Sequence, residues 1–496
     1  MEFNFKNKVD KDKVFIVNRN KLEKRLDPFY YIPSLVALEE KLKELKPLAL
    51  RHYVKSIASG STPKTTEYDK YYSDKENGIP FLRVQNLSPT GILDAKKVKY
   101  INHTTHENYL KRSQVEEGDL LVKITGVGRM AVASVAPYGF VGNTNQHMVV
   151  IKTGSKEASE VLAAYLNTDI AEALASRRAT GGTRPALDYP ALLSIPIINS
   201  DEILRINKKA INSKQEKEKQ AKELLGSIDR YLLDELGITL PLKSNTLSSR
   251  IFEIKYTELT GSRFDPGLYN NHTKALKQAI EDSKFKSVPL KELIIQSNAG
   301  DWGSESVEDN ERLKACLVIR ATEFDNDFNL KLDNSRVKYR SISRDKLKKI
   351  NIQEQDILIE KSGGSPYQPV GRVAILRSDI LRNNTICYSN FIHKITLNKS
   401  LINPEYAFAY LKTMHNIKLT QSMQSQTNGI RNLIMSNYFN QSIVLPIKTD
   451  GSIDMDKQNE IALKISGMRA KAEKLQVGAI ASVNDAQKEI EKIILV

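Results

Sequence analysis

The sequence is short of the residues that most directly announce chemistry. In 496 residues it holds two cysteines, one tryptophan and seven histidines. Cys316 and Cys387 stand far apart, without the close spacing of a metal knuckle, and a disulfide is not expected of an intracellular chain. The histidines are scattered and no His-Glu-x-x-His run occurs, so nothing points to zinc. A Gly-x-x-x-x-Gly-Lys-Ser/Thr phosphate loop is absent, as is the glycine-rich strand-to-helix turn that would cradle S-adenosylmethionine. Ser61 and Thr62 follow Gly60, but no nearby histidine supports nucleophilic catalysis. No apolar run approaches the ~20 residues of a membrane span. The opening MEFNFKNKVDKDK is mixed in charge and has no apolar core, so no secretory signal is read there. These absences lead to the expectation of a cytoplasmic protein that uses neither a membrane nor a metal of its own.

What the chain has is positive charge and a duplication. The formal net charge is +15 and the isoelectric point about 9.3, a balance that favours a polyanionic partner through phosphate contacts and counterion release. RLDPFYY at 25–31 recurs as RFDPGLY at 263–269, close to half a chain length later. Further matches follow in the same order. VFIV at 14–17 answers IFEI at 251–254, and IPFLRVQNL at 79–87 answers CLVIRATEF at 316–324, aligning Arg83 with Arg320. EEGDLLVKITG at 116–126 answers QEQDILIEKSGG at 353–364, aligning Asp119 with Asp356. GRMAVA at 128–133 has a counterpart in GRVAIL at 371–376, AYLNT at 164–168 in AYLKT at 409–413, GGTRPAL at 181–187 in TNGIRNL at 427–433, and SIPI at 194–197 in VLPI at 444–447.

Asp27-Pro28-Phe29-Tyr30 is one residue from the Asp-Pro-Pro-Tyr tetrapeptide of adenine-amino methyltransferases. Its second copy keeps Asp265-Pro266 and loses the aromatic pair. The repeat therefore favours a turn or short helix, with proline at the first helical position and Asp capping. Asp356 with ILIEK resembles a nuclease core only superficially. A metal site needs Glu-x-Lys, whereas Glu360 and Lys361 are adjacent and the first copy has Val122 and Lys123.

Each repeat opens with a mixed α/β segment of short apolar runs (DLLVKI, HMVVIKT, DILIEK, FIHKITL) broken by Gly, Asn and Pro. Each closes on a long helical pattern. In the first, apolar residues fall at Ile203, Leu204, Ala210, Ile211, Ala221, Leu225, Ile228, Leu232 and Leu236, around a polar centre at 212–223 read as solvated. The second runs Ile461, Ile465, Met468, Ala472, Leu475, Ala479, Val483, Ala486, Ile490, Ile493, in steps of mostly four and three, the seam of a coiled coil. The expected layout is a first globular domain at 1–199, a helix at 200–240, a second domain at 241–450 and a last helix at 451–496. The two similar domains would be related by a pseudo-two-fold and joined by an antiparallel coiled coil. Each helix would span roughly 50 Å, longer than one turn of DNA at about 34–36 Å, so two short half-sites with an unread gap would suit the molecule.

Base-reading side chains are sought among loop Arg, Asn, Gln, Lys, Ser, Thr and Tyr, since Arg forks onto guanine and Asn or Gln bridges adenine. In the first domain these are Arg83, Gln85 and Asn86; Lys123, Thr125 and Arg129; Asn143, Asn145 and Gln146; and Thr180, Thr183 and Arg184. In the second they are Arg320 and Thr322, beside Glu323; Lys361, Ser362, Tyr367, Gln368 and Arg372; Asn390; and Gln426, Asn428 and Arg431. Trp302, in AGDWGSE, either stacks on a sugar or base or caps the core.

The ordered set SIASGSTPK (56–64), GIPFLRVQNL (78–87), GDLLVKITG (118–126), NTNQHMVVI (143–151), YLNT (165–168), GGTRPAL (181–187) and SIPII (194–198), followed by a helix and then repeated, resembles the specificity subunits of type I restriction–modification enzymes. The second copy departs at GDWGS (300–304) and at SNF (389–391). The resemblance implies two target recognition domains on an antiparallel coiled coil, each reading half of an interrupted, asymmetric DNA site. It implies no catalysis and no cofactor in this chain. Double-stranded DNA, two adenine-methylating modification subunits and motor-nuclease subunits would be the partners, and S-adenosylmethionine, ATP and Mg would sit on those subunits. The alternatives are a stand-alone DNA adenine methyltransferase and a non-enzymatic DNA-binding regulator. Subunits that co-purify with the native chain would separate them.

Overall fold

The apolar runs form strands because alternate or successive side chains can be buried on a sheet face, while the Gly and Asn between them take the turns. In the computed structural model, residues 10–495 are described apart from 24, 95–97, 243, 245, 260–265, 326, 333–336, 365–367 and 428–429. Asp265, Tyr367 and Asn428 lie outside the described residues, as does the side chain of Gln426. The chain divides into two compact units, Met1–Lys219 with Leu475–Val496, and Gln220–Lys474.

In the first unit one sheet orders the strands Ser56–Ser59, Met148–Lys152, Leu120–Lys123, Ala133–Val135 and Gly91–Ile92. A second sheet orders Tyr72–Ser73, Lys99–Ile101, Ile79–Leu82, Val141–Thr144 and Gln114–Glu116. The first sheet, the helices Lys156–Leu166 and Asp169–Arg178 and the long-helix residues Ile203, Ile206, Ala210, Ala486, Ile490 and Ile494 share one core.

The second unit repeats this plan. Its first sheet orders Ile294–Ala299, Ile392–Leu397, Ile357–Glu360 and Val373–Ile375, and its second orders Lys338–Ser343, Leu313–Ile319 and Ile386–Tyr388. Each second sheet holds one parallel pair, with Asn143 opposite Phe81 in one unit and Cys387 opposite Val318 in the other. Each unit also has a small antiparallel pair, Leu48–Ala49 with Pro196–Ile197 and Lys286–Pro289 with Ser442–Leu445. The duplication read from the sequence is thus a duplication of topology.

The aligned aspartates do structural work. Asp119 accepts the Glu116 amide at 2.7 Å and Asp356 the Gln353 amide at 2.8 Å, so each closes the turn before a buried strand. The alignment of GRMAVA with GRVAIL, in contrast, is displaced. The Val132 carbonyl accepts from the Lys123 amide as the Arg372 carbonyl accepts from Glu360, so Arg372 stands where the first unit has Val132, not Arg129.

RLDPFYY forms a one-turn helix, Pro28–Tyr31, with proline at its start as expected. The Asp27 carboxylate does not cap it. It takes both arms of the Arg25 guanidinium at 2.8 Å, which holds Asp27 below the usual carboxylate range. Tyr30 is buried, with Arg177 at 4.1 Å and Arg25 at 4.5 Å over its ring. The stretch is therefore a clasp onto the helix Asp169–Arg178.

The long helices are Asp201–Leu236 and Met455–Leu495. Gly237 ends the first with φ +66°, and the Ile238 amide returns to the Leu233 carbonyl, a glycine-capped helix end. Within the first unit, 201–219 pack antiparallel to the last helix, Ser213 meeting Ser482 at 3.2 Å. Within the second, Glu235 pairs with Lys457 at 2.9 Å, again antiparallel. The apolar seam of the last helix is as spaced in the sequence, except that Ile494 rather than Ile493 is its fully buried end.

The polar centre at 212–223 is not simply solvated. Lys217 Nζ donates to the Gly478 carbonyl at 3.1 Å and to Ser482 Oγ at 2.6 Å, placing a polar layer in the seam. Such a layer fixes register at a cost in stability. Lys217→Met is expected to gain about 1 kcal/mol, raising the melting temperature by ~2–4 °C; thermal denaturation of the full chain measures it.

Candidate nucleic-acid interface

Parallel strands deliver their carboxyl ends, and the loops that leave them, to one edge of a sheet. In the first unit Ile79–Leu82 and Val141–Thr144 do so, and the Asn145 amide donates to the Leu82 carbonyl at 3.2 Å. The loop after Ser56–Ser59 comes to the same place. Gly60 lies on the Thr144 carbonyl so closely that a Cβ there would stand 1.6 Å from its oxygen, and Thr62 Oγ1 donates to Gln146 Oε1 at 2.6 Å. The Ile124 amide donates to the His147 carbonyl at 3.0 Å, and the Gly126 amide to the Pro185 carbonyl at 3.0 Å. Thr180 and Ala186 exchange both backbone hydrogen bonds at 2.8 Å, closing the loop that carries Thr183 and Arg184. Segments 60–64, 83–86, 145–147, 124–129 and 180–186 thereby form one edge.

The second unit builds the same edge. The Ser389 amide donates to the Ile319 carbonyl at 2.8 Å, Gly300 lies on the Tyr388 and Ser389 carbonyls, and the Lys361 amide donates to the Phe391 carbonyl at 2.7 Å. The Leu433 amide reaches the Lys361 carbonyl at 2.7 Å as the Leu187 amide reaches Ile124 at 2.8 Å. The hairpin of Gln424–Thr427 and Ile430–Leu433 takes the place of the 180–186 loop. GDWGS and SNF therefore stand where GSTPK and NQH stand, despite their different sequences.

Many of the polar residues singled out in the sequence are spent inside this edge. Asn86 is buried, accepts from the Arg83 amide at 2.9 Å and donates to the Asp94 carbonyl at 2.8 Å. Asn143 is buried between His106 and the Leu110 carbonyl. Asn145 is buried and accepts from the His147 amide. Lys123, buried and with its pKa lowered by desolvation, donates to the carbonyls of Val127 at 2.7 Å and Arg129 at 2.9 Å. Arg129 pairs with Asp169 at 2.6 Å.

In the second unit Arg320 forks onto the buried Glu323, and Ser362 donates to Asn432 at 2.7 Å. Arg372 forks onto the buried Glu360 and donates to the carbonyls of Phe324 and Ala321 at 2.9 Å each. These eight residues hold loops in shape through bonds within the chain, a role beside the base contact read for them in the sequence. Gln85, Gln146, Thr180, Thr183, Arg184, Thr322 and Asn390 are exposed on the edge, and Arg83, Thr125, Lys361, Gln368 and Arg431 are half-exposed.

The sequence reading passed over Lys338, Arg340 and Phe391, and left Trp302 between two roles. Trp302 and Phe391 have ring centroids 6.5 Å apart, and Arg340 lies 4.7 Å over the indole. The signal for these residues was weak, because a strand such as Lys338–Ser343 gives no hint of which neighbours its cations will meet.

No protein-family model and no curated protein matches the sequence. Solved structures do. A chain from work on complex assembly and conformational transition of the type I R-M system aligns over 90% of this chain and 95% of its own, at 14% identity and TM-score 0.39. The HsdS subunit from Thermoanaerobacter tengcongensis aligns over 90% and 94%, at 14% identity and TM-score 0.31. The type I restriction–modification S subunit from M. genitalium aligns over 90% and 94%, at 13% identity and TM-score 0.35. Two of these solved neighbours are specificity (S) subunits of type I restriction–modification systems. Among the described residues no helix is long and apolar enough to cross a membrane.

Proposed function

We propose that the chain is the DNA sequence-recognition subunit of a type I restriction–modification complex, itself non-catalytic and working in the cytoplasm. One observation carries the reading. The same loop edge is built twice, on the same strand ends, and is surfaced with different side chains: Thr62, Gln146, Thr183 and Arg184 in one unit, Trp302, Asn390 and Phe391 in the other. Two copies of one scaffold with divergent surfaces suit a site of two unlike halves, and a net charge of +15 suits DNA. The two long helices set the unread gap between the halves, and the Lys217 layer supports a fixed register there. Two modification subunits bring S-adenosylmethionine and methylate adenine; motor-nuclease subunits bring ATP and Mg.

Methylome sequencing tests this. The host is expected to carry one interrupted, asymmetric adenine-methylated motif that disappears when this chain is deleted. A motif that survives deletion overturns the reading. Methylation of DNA by the purified chain alone would instead support a stand-alone methyltransferase.

A further inference from the structure

The second unit's loop holds its tryptophan out by construction. Gly300 is pressed on the Tyr388 and Ser389 carbonyls, where a Cβ would stand 2.2 and 2.3 Å from their oxygens. Gly303, at φ +65°, lies on the strand Lys338–Ser343, where a Cβ would meet Ile342 Cδ1 at 2.5 Å and the Ser341 oxygen at 2.7 Å. Between them the Asp301 amide donates to the Tyr388 carbonyl at 2.8 Å and the Gly303 amide to Asp301 Oδ1 at 2.9 Å. A segment pinned at both ends has no freedom to fold its indole inward. Trp302 is accordingly 36% exposed and Phe391 48% exposed, side by side. A core-capping tryptophan would be expected to be covered.

The surroundings are cationic. Arg340 covers part of the indole, and Lys338 and Arg320 line the same shallow depression as Trp302. Arg340 and Arg320 have acidic partners in Glu305 and Glu323, whereas Lys338 makes no ion pair among the described residues. Asn390 stands exposed next to Phe391. At the matching place the first unit has Thr62 on Gln146, a hydroxyl–amide pair, with the half-exposed His147 imidazole where Phe391 stands and no indole.

We propose that the Trp302–Phe391 face is the surface by which the second unit grips its half of the DNA site. The rings lie against bases or sugars, Asn390 faces a base edge, and Lys338 takes a phosphate. The first unit grips its half by hydrogen-bonding groups instead. This rests on the DNA-recognition reading above. The chemistry is that of rigid aromatic anchors, which give large contact area for little lost side-chain freedom, ringed by phosphate-binding cations.

Trp302 is the sole tryptophan, so its emission reports on this face without labelling. The purified full chain is titrated with duplexes carrying the host motif intact, or with either half scrambled, binding being followed in parallel by anisotropy of labelled DNA. Trp302 emission is expected to change with the intact duplex, to keep that change when one half is scrambled, and to lose it when the other is. Trp302→Ala should weaken binding about tenfold or more and Trp302→Phe far less. Lys338→Gln should lower the slope of log affinity against log salt by about one. Tight, half-site-dependent binding with unchanged emission, or with Trp302→Ala binding as wild type, overturns this inference and leaves the recognition reading standing. Binding indifferent to scrambling either half overturns the recognition reading, and this inference with it.

Discussion

Lys394→Ala is expected to destabilise the second unit by about 3–5 kcal/mol, the usual cost of leaving a buried charge without its partner. Lys394 and Asp356 are both buried, 2.9 Å apart, and the lysine also donates to Thr396 Oγ1 at 2.9 Å and to the Asn351 carbonyl at 3.2 Å. Asp356 in turn accepts from Thr396 Oγ1 at 2.6 Å and from the Gln353 amide at 2.8 Å. Alanine removes the only cation paired with that carboxylate among the described residues. The matching pair in the first unit sets the scale. Asp119 bonds Lys152 at 2.7 Å, but the Lys152 side chain is 34% exposed and water can stand in for it. Lys152→Ala should therefore cost only about 1 kcal/mol. Denaturant unfolding of the two full-length variants, read as separate transitions if the units unfold separately, tests the contrast. Equal costs would show that burial does not set the difference.

That contrast also marks what the sequence could and could not disclose. Asp119 and Asp356 aligned because the turn before each central strand needs the same acceptor. Their lysines did not align, because they come from different positions: sheet register places Ile151 opposite Leu120 and Ile395 opposite Ile357, so Lys152 matches Thr396, and Lys394 matches Val150. The topology was legible, since burying a strand leaves an apolar run and closing a turn leaves Gly or Asp. The long helices were legible too: the seam of the last differed only at its end, while the first also buries Ile206 and Leu233, which the spacing passed over, and leaves Leu204 and Ile211 half-buried. Lys217 was missed because a lysine in a polar run looks solvated until the facing residues, Gly478 and Ser482, leave it room. The edge itself was foreshadowed: segments around Arg83, Asn145, Thr125 and Arg184 do come together. Which side chains face outward was not, because Asn, Lys and Arg tie loops with the same groups that read bases. Only tertiary position separates Gln146, exposed, from Asn145, buried one residue earlier.

Gly60→Ala and Gly300→Ala are expected to abolish reading of one half-site each, and of opposite halves. Neither glycine sits at positive φ, so what it supplies is room. The added methyl would stand 1.6 Å from the Thr144 oxygen in one case and 2.2 Å from the Tyr388 oxygen in the other. Both obstacles are backbone at the end of a buried strand and cannot rotate away. The loop must lift instead, at a cost of about 1–3 kcal/mol for overpacking. Lifting carries Thr62 off Gln146 in the first unit, and Trp302 off Phe391 in the second. Discrimination at the affected half should fall to the non-specific level, while the phosphate-driven part of binding, being independent of sequence, persists. Binding to duplexes with each half scrambled in turn gives the readout. Loss at the same half in both variants would break the assignment of one half-site to each unit. Loss at neither would show that bases are read elsewhere on the edge, by the 180–186 loop and its counterpart hairpin.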